Sequence, residues 1–575
     1  MPILAGDYNI RGDETEFETS QQQMSESEIF SNTSGASSGN SSDSESDSGL
    51  SSSVESNLKP VQKPFTLKSK PCPRPVHVHK TKHLQKTPHA ANAKPDEFQF
   101  LDRIHDLLME DGVREHTNIK NKVLEFQHPE ELKTKLNFEV TENGESDDEL
   151  LNLCKTTIKY SIKTGHPNMY NQLGAGGFDQ YGVAGSWLTD TMNTSAYTYE
   201  MAPVFTLVEA SILKKMRSCI GWENGNGDGI FAPGGSLANM YAINLARHKM
   251  FPEIKKKGMH ACKPCCVFVS SQCHYSMMKS CSFLGMGSDN CIGVKCDEQG
   301  KLIPSELEKA IEKAKSDGLA PIAVLATAGT TVIGAFDPIE EMAEIAERNN
   351  LWFHVDSAWG GGALLSKKWR YLLKGIERAD SVTWNPHKLM GATQQCSAFL
   401  TKHEGLLQSA HSYNAKYLFQ KDKFYDVSYD TGDKTIQCGR RVDCFKLWLS
   451  WKARGDAGFE KKIDQAFDNS RHLAERCRTT PGFRLMLDPE CTNVCFWYIP
   501  PSMRGQEETP EWWSKLNKVA PTIKQRMMEK GSLLVCYQQH EQYVNFFRMV
   551  VISDRCFTKD MDFIIEEIDR LGCDL

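Results

Sequence analysis

The stretch Leu351-Trp-Phe-His-Val-Asp356 is a short apolar run that ends in an acidic residue, and Ser381-Val-Thr-Trp-Asn-Pro-His-Lys388 repeats the pattern with a basic one. A third apolar run, Ile322-Ala-Val-Leu325, lies upstream of both. Helical periodicity fills the intervals 304–317 and 338–349. Short apolar runs that alternate with helices predict parallel strands joined by helical crossovers. We therefore expect an α/β protein whose mostly parallel central sheet is covered by helices on both faces.

The composition divides the 575-residue chain into a polar N-terminal segment and a long remainder of ordinary globular composition. Residues 1–60 carry eleven acidic and two basic side chains, whereas 61–95 carry eight Lys or Arg and no acidic residue. Too few apolar residues are present in 1–95 to offset the entropy of folding, so we expect a disordered tail. Within it, Ser41-Ser-Asp-Ser-Glu-Ser-Asp-Ser48 is typical of an acidophilic kinase target, and an unmodified solvating segment is the alternative.

Several classes of protein are disfavoured by charge and hydropathy. The net charge of −7 and the pI near 6.2 argue against a nucleic-acid partner. No run of about 18 apolar residues indicates a membrane span, and the N-terminus has no signal-peptide pattern. The 19 cysteines are therefore expected to be reduced thiols of a cytoplasmic protein. Cys262, Cys265 and Cys266 have no second pair at zinc-site spacing, so we expect no metal.

The C-terminal part of the chain has a different pattern. A helical stretch at 510–530 precedes strand-like runs at 532–538 and 543–551, and a second helical stretch covers 558–572. Helices and strands that are not in strict alternation predict a smaller α+β domain.

Polar residues follow the predicted strands at the points where a parallel sheet binds ligands. Asp356 and Lys388 end two of the runs, and Thr330 and Thr331 follow the third. Ala232-Pro-Gly-Gly-Ser236 opens a helical pattern that extends to about Met250, which suits a phosphate group. With His274, these are the parts of a pyridoxal phosphate site: a lysine for the aldehyde, a carboxylate for the ring nitrogen and a ring to stack. Taken singly, such residues are more often a helix cap, a surface lysine, a loop or a core histidine, and only their combination and order favour the cofactor site.

These residues lie in motifs that resemble the group II pyridoxal-dependent decarboxylases, in the branch of animal glutamate, cysteine sulfinate and aspartate decarboxylases. The resemblance extends from about residue 98 to 575. The Asn-Pro-His-Lys motif is highly specific for the family. The chain looks most like the insect aspartate 1-decarboxylases, whose β-alanine serves cuticle tanning and amine conjugation. The motifs are Tyr170-Asn-Gln-Leu173, Pro233-Gly-Gly235, Ala326-Thr-Ala-Gly-Thr-Thr331, His354-Val-Asp356, Asn385-Pro-His-Lys388, Tyr429-Asp-Thr-Gly-Asp433 and Asn545-Phe-Phe-Arg548.

The resemblance implies a fold-type-I enzyme that binds pyridoxal 5′-phosphate and has a seven-stranded type of central sheet. The implied organisation is a helical dimerisation segment at 96–180, a large cofactor-binding domain at 181–447 and a small α+β domain at 448–575. It also implies an obligate homodimer with the active site at the subunit interface.

The resemblance further assigns roles to individual residues. Lys388 matches the lysine that binds the cofactor aldehyde, Asp356 the partner of the pyridine nitrogen, and His274 the stacked ring. Tyr417 matches a tyrosine, on a mobile loop near 412–424, that protonates the substrate carbon after CO2 leaves; Lys388 is the alternative donor. The implied substrate-binding residues are Gln172, Gly174, Gln394 and Arg548, and the further cofactor positions are Gly235, Ser236, Thr331, Ala358, Asn385 and His387.

Two of these positions depart from the glutamate decarboxylase pattern. Gly174 stands where that pattern has a serine, and Gln394 stands where it has a leucine. The pocket thus loses one hydroxyl and gains one amide, and each change alters the binding energy by ~1–3 kcal/mol. A pocket discriminates one methylene of substrate length by a similar ~1–3 kcal/mol, so the two changes are large enough to reverse a substrate preference. We therefore expect aspartate as the substrate and β-alanine as the product, with glutamate and cysteine sulfinate as alternatives. Neutral drift at the two positions is the competing interpretation.

Two other classes of function fit the sequence less well. A non-catalytic relative that acts only as a binding partner would be expected to lose Lys388, Asp356 or Tyr417, and all three are present. An aminotransferase shares the lysine and the aspartate, but the histidine together with the Asn-Pro-His-Lys motif favours decarboxylation.

Overall fold

A seven-stranded sheet lies at the centre of the fold in the computed structural model, which describes residues 97–172, 177–540 and 543–575. The strand order is β1-β7-β6-β5-β4-β2-β3. Four of the six strand pairs are parallel, and β7 is antiparallel to both neighbours. The predicted mostly parallel seven-stranded sheet is thus confirmed. Its strands are β1 (Asp228–Ala232), β2 (Cys265–Ser270), β3 (Cys291–Val294), β4 (Ala320–Thr327), β5 (Trp352–Asp356), β6 (Ser381–Trp384) and β7 (Ser397–Thr401).

Helices cover the sheet and account for the helical patterns in the sequence. The helix expected to follow the glycines of 233–235 is present, as are those expected near 304–317 and 338–349. The helices are α1 (Gln99–Leu107), α2 (Pro129–Lys135), α3 (Asp147–Tyr160), α4 (Gln180–Met192), α5 (Pro203–Ile220), α6 (Gly235–Met250), α7 (Ile254–Lys257), α8 (Ser276–Phe283), α9 (Pro304–Ser316), α10 (Ile339–Arg348), α11 (Leu406–His411), α12 (Cys444–Thr479), α13 (Pro510–Lys530) and α14 (Thr558–Gly572).

The strand register brings polar residues to one edge of the sheet. Every residue of β5 is buried, as expected of a parallel strand that is packed on both faces. Thr327 at the end of β4 pairs with Asp356, and Asp356 pairs with Thr383 on β6. The carboxyl ends of three adjacent strands therefore meet at one level, where the sequence places Asp356 and Lys388.

A four-stranded antiparallel sheet forms the C-terminal part, in the order β10-β11-β9-β8. Its strands are β8 (Phe483–Leu485), β9 (Asn493–Tyr498), β10 (Cys536–His540) and β11 (Tyr543–Val550). Helices α13 and α14 pack with it around a separate apolar core. The predicted α+β arrangement is confirmed, but the strand predicted at 532–538 is β10, which begins at Cys536. Leu534 instead pairs with the N-terminal segment, where it accepts from the Tyr170 N–H (3.0 Å) and donates to the Asn168 carbonyl (3.0 Å).

Helix α12 crosses the predicted domain boundary at 447/448. It contributes Phe459, Ile463 and Phe467 to the core of the large sheet, and Leu473 and Cys477 to that of the small sheet. The backbone at Gly455 is non-helical (φ 65°, ψ −178°) and marks a kink within it. The two sheets thus share one helix, and the division into domains stays a prediction.

The first three helices, α1 to α3, contribute no buried residue. This helical segment agrees with the expected N-terminal arm. The predicted disordered tail at 1–95 and its serine run lie outside the described residues. Among the described residues, no helix is long and apolar enough to cross a membrane.

Candidate active site

A cavity of about 270 Å³ lies at the carboxyl ends of β4, β5 and β6. Ten of the predicted site residues line it, and they come from segments that are far apart in the sequence. They are Gly235, Ser236, His274, Thr331, Asp356, Ala358, Asn385, His387, Lys388 and Gln394.

One wall of the cavity is the N-terminus of α6. Gly234 has φ 125°, a conformation that favours glycine, and a Cβ on Gly235 would lie 2.6 Å from Asn385 Nδ2. The backbone can therefore approach Asn385 closely only because residue 235 is a glycine. Free N–H groups and the helix dipole at this end suit a phosphate group, and Ser236 adds a hydroxyl.

Asp356 lies opposite, at the end of β5, and is 5% exposed. Its Oδ1 accepts a hydrogen bond from the Ala358 N–H (3.0 Å), and its Oδ2 accepts one from Asn239 Nδ2 (2.9 Å). Two donors to one carboxylate fix its orientation. A buried carboxylate held in this way suits a pyridine nitrogen that must stay protonated.

Lys388 lies in the same cavity, after β6. Burial lowers the pKa of its ammonium group, the carboxylate of Asp356 opposes that shift, and the charge of Arg548 adds to it. A lower pKa makes the neutral amine available, which is the form that attacks an aldehyde. Burial likewise lowers the pKa of His274, against the effect of Asp356, while Lys388 and Lys279 lower it further.

The remaining wall is held from outside the large sheet. Arg548 on β11 donates from Nη1 to the Thr331 carbonyl (2.7 Å), and Asn493 on β9 donates to the Val332 carbonyl (2.9 Å). His387 is fixed through Nδ1, which lies 2.7 Å from the Cys396 carbonyl oxygen. Burial lowers the pKa of His387 to about 4, so its ring is neutral near pH 7.

Three predicted residues lie elsewhere in the structure, and a fourth lies outside the described residues. Tyr417 is 81% exposed and does not line the cavity. Gln172 is buried and also does not line the cavity. Arg548 does not line it either, but it is hydrogen-bonded to Thr331, which does. Gly174 lies outside the described residues. The roles assigned to these four residues stay predictions.

Several cavity residues were not predicted. Asn239 lies inside α6. In the sequence it could have been noticed only as a polar residue near the small apolar residues Ala238 and Ala242. Tyr275 follows His274 directly, and Gln395 follows Gln394. The others are Pro233, Gly234, Thr327, Gly329 and Trp359, most of which lie within or beside the quoted motifs.

The residues present fit pyridoxal phosphate. Asn385 Oδ1 is buried and has no hydrogen-bond partner among the described residues, and it lies beside the Gly235 backbone. Ser236 and the α6 N-terminus would hold the phosphate, Lys388 the aldehyde carbon and Asp356 the ring nitrogen. The group, when bound, supplies an electron sink for the charge left on a substrate carbon.

No group of three or more His, Cys, Asp or Glu side chains in the described part of the chain could hold a metal ion. Cys265 and Cys266 are buried in β2, and the Cys262 thiol contacts the Met259 carbonyl (3.3 Å).

Comparison with known proteins agrees with this geometry. Residues 129–499 match the pyridoxal-dependent decarboxylase conserved domain. The chain is 53% identical over 478 residues to the acidic amino acid decarboxylase GADL1 of Xenopus tropicalis, covering 83% of this chain and 93% of that protein. It is 50% identical over 477 residues to human cysteine sulfinic acid decarboxylase, covering 83% and 96%. The crystal structure of mouse CSAD superposes with a TM-score of 0.82 at 48% identity, covering 84% of this chain and all of that one. The chain therefore belongs to the pyridoxal-dependent decarboxylases and is a carboxy-lyase with pyridoxal 5′-phosphate as its cofactor.

Proposed function

We propose that the enzyme removes the α-carboxylate of a short acidic amino acid, with L-aspartate as the main substrate and β-alanine and CO2 as the products. The names of the relatives, an acidic amino acid decarboxylase and a cysteine sulfinic acid decarboxylase, support an anionic side chain on the substrate. The single observation that carries the preference for a short side chain is the position of Gln394 in the cavity wall.

Arg548 supplies the cationic group that an acidic substrate requires. Its Nη1 is used by the Thr331 carbonyl, but its Nε is buried and has no hydrogen-bond partner among the described residues. A buried donor without an acceptor is costly, at ~1–3 kcal/mol, and a substrate carboxylate would satisfy it. The buried Gln172 Nε2 likewise has no partner in the described chain, which supports its assignment to the substrate's distal group.

Gln394 supports the shorter substrate. It lines the cavity and is exposed in the single chain, so its amide is able to donate to an anion that enters there. A leucine at this position would offer no donor. In aspartate the distal carboxylate is one methylene closer to the reacting carbon than in glutamate. An added donor that projects into the site compensates for that missing length.

Cysteine sulfinate is the second candidate. Its sulfinate is attached to Cβ, as is the distal carboxylate of aspartate, so both place an anion at nearly the same distance from Cα. The 50% identity to human cysteine sulfinic acid decarboxylase favours this candidate. Glutamate remains the third alternative because the family includes it.

The chain's own residues act around the breaking bond. Asp356, held by Asn239, would lie beside the ring nitrogen, and His274 presents its ring to the cavity. Lys388 holds a proton at Nζ near the substrate carbon and, with Tyr417, is a candidate donor to that carbon after CO2 leaves. Water must be excluded while the carbon is charged, and the segment near 412–424 is the proposed cover.

We also propose that the enzyme works as a homodimer. Helices α4 and α5 expose large apolar side chains, among them Met192 at 57% and Val204 at 62%. Such side chains on neighbouring helices are typical of an interface. The exposure of Tyr417, 81%, agrees with a role in the partner's cavity and not in its own.

Steady-state kinetics with L-aspartate, L-cysteine sulfinate and L-glutamate, followed by amine analysis, test the substrate. We expect the highest kcat/KM with aspartate. Gln394→Leu should lower kcat/KM for aspartate about tenfold to hundredfold, the effect of one lost hydrogen bond to a charged group. Gln525→Leu, which changes the same residue type on the exposed face of α13, should leave it unchanged. γ-Aminobutyrate as the fastest product, or unchanged kinetics in Gln394→Leu, would overturn the proposal.

A further inference from the structure

A buried amide connects the two groups that face the cofactor ring. Asn239 is 1% exposed and lies one turn into α6. Its Nδ2 lies 2.9 Å from Asp356 Oδ2 and 3.0 Å from the Ser276 hydroxyl oxygen. Its Oδ1 lies 3.3 Å from His354 Nε2. All polar atoms of this side chain are thus used, and none of them is used by a backbone group.

The orientation of the amide is decided by Asp356. If the oxygen and nitrogen of Asn239 were exchanged, an amide oxygen would face a carboxylate oxygen at 2.9 Å, with no hydrogen between them. The nitrogen therefore faces Asp356, and its two hydrogens serve Asp356 and Ser276. The oxygen then faces His354 Nε2 at 3.3 Å, while Nδ1 of that ring lies 3.1 Å from the Ser381 carbonyl oxygen and 2.9 Å from its hydroxyl oxygen.

The Ser276 hydroxyl connects Asn239 to His274 through two hydrogen bonds. Because its hydroxyl oxygen accepts from Asn239, its hydrogen is free to donate to His274 Nδ1, which lies 2.8 Å away. The backbone N–H of Ser276 also points at Nδ1 (3.3 Å). Two donors at one ring nitrogen require that this nitrogen be an acceptor. The hydrogen of a neutral His274 is then on Nε2.

We propose that Asn239 is a positioning residue that fixes the carboxylate of Asp356 directly and, through Ser276, the tautomer and ring orientation of His274. One amide thereby orients both groups that would face the cofactor ring. His274 presents Nε2–H as a hydrogen-bond donor, with Nδ1 bound to Ser276. The inference concerns the cofactor and does not depend on which acidic amino acid is the substrate.

Replacement of Asn239 by alanine tests the direct contact. Asn239→Ala removes the donor to Asp356, so we expect pyridoxal phosphate to bind about tenfold to hundredfold more weakly, the loss of one hydrogen bond to a charged group. The absorption spectrum of the bound cofactor should also change. The matched control is Asn244→Ala, five residues further along α6, where the amide contacts His411 (3.0 Å) away from the cavity. Equal cofactor affinity and an unchanged spectrum in both variants would overturn the proposal.

An isosteric variant separates this role from folding. Asn239→Asp keeps the shape but places two carboxylates in contact, so the pair retains one proton at low pH. The protonated carboxyl can donate to Asp356 as the amide does. The other titratable groups that face this position are His354, His274 and Lys388. Relative to wild type, we expect cofactor affinity and kcat to recover as the pH falls. A ratio that is flat with pH would contradict a positioning role.

The tautomer can be observed directly in the loaded enzyme. Ring nitrogen shifts of isotope-labelled histidines, with His274 assigned by its loss in His274→Gln, distinguish Nδ1–H from Nε2–H. We expect the Nε2–H form in wild type and a mixture of tautomers in Ser276→Ala and Asn239→Ala. A protonated or Nδ1–H His274 in wild type would refute the inference, even if the kinetic results followed it.

Discussion

A pair of inactive subunits that restore each other's activity would test the dimer and the role of Tyr417 together. Tyr417 is 81% exposed and lies outside the cavity that holds Lys388 of the same chain. If it serves the partner's cavity, a chain with Lys388→Ala still supplies a tyrosine, and a chain with Tyr417→Phe still supplies a lysine. Each variant alone should lose about 10²–10⁴-fold in kcat, the usual contribution of a positioned acid or base.

The expected magnitude follows from counting sites. In the mixed dimer, one cavity has the alanine together with the phenylalanine, and the other has both native residues. One complete cavity of two predicts about half of the wild-type rate per dimer. Co-expression with two affinity tags and sequential purification isolates the mixed dimer, and CO2 release measures its rate.

The reversed arrangement is the control. A chain that carries both substitutions, paired with a wild-type chain, should be inactive because the intact Lys388 receives phenylalanine from its partner. Were Tyr417 to act within its own chain, the two results would be exchanged. A first mixed dimer no faster than its parents would therefore refute the reasoning.

Three further predictions concern stability. Glu209→Gln should lower the free energy of unfolding by ~3–5 kcal/mol in urea titrations, because it leaves the Arg440 charge buried (2% exposed) and unpaired; Asp190→Asn, at the exposed partner of Arg441, should cost less than ~1 kcal/mol. Pyridoxal phosphate at 100 times its Kd should raise the free energy of unfolding by about 2.7 kcal/mol. A Lys388→Ala variant measured at the same cofactor concentration should be stabilised less. Burial lowers the pKa of three histidines to about 4, so the unfolded chain binds more protons than the native one between pH 6.5 and 4. The free energy of unfolding should therefore have its full value above pH 6.5 and fall below that pH, by up to about 4 kcal/mol per pH unit. An unfolding midpoint that did not move from pH 7 to 5 would contradict this. The histidines are His354, His387 and His411.

The sequence predicts the sheet and much of the cavity because each rests on local patterns. Trp352–Asp356 is fully buried and ends in its only acidic residue, which places Asp356 at the sheet edge before any contact is known. The Gly-Gly-Ser segment similarly predicts the start of α6. These signals are short and independent of the rest of the chain.

The remainder depends on contacts between distant segments. Asn239 acquires its position only when α6 packs beside β5 and α8, and nothing in its neighbourhood of the sequence indicates this. The start of β10 was predicted too early because Leu534 is apolar, but it pairs with the segment around Asn168 and not with β11. The position of Tyr417 depends on a long connection between α11 and α12, which hydrophobic periodicity does not describe.

The attachment of the Thr331 turn to the small sheet has a consequence for how the enzyme evolves and can be engineered. The turn that walls the cavity is held by Arg548 and Asn493, which belong to β11 and β9, while α12 contributes side chains to both cores. A fragment ending at residue 447 would lose that support and most of α12. The part of the chain after residue 447 is therefore not an independent module that can be exchanged. Substitutions that change its packing move Arg548 or Asn493, and each of these is one hydrogen bond away from the turn that walls the cavity. Substrate specificity can therefore change without any substitution in the cavity lining itself.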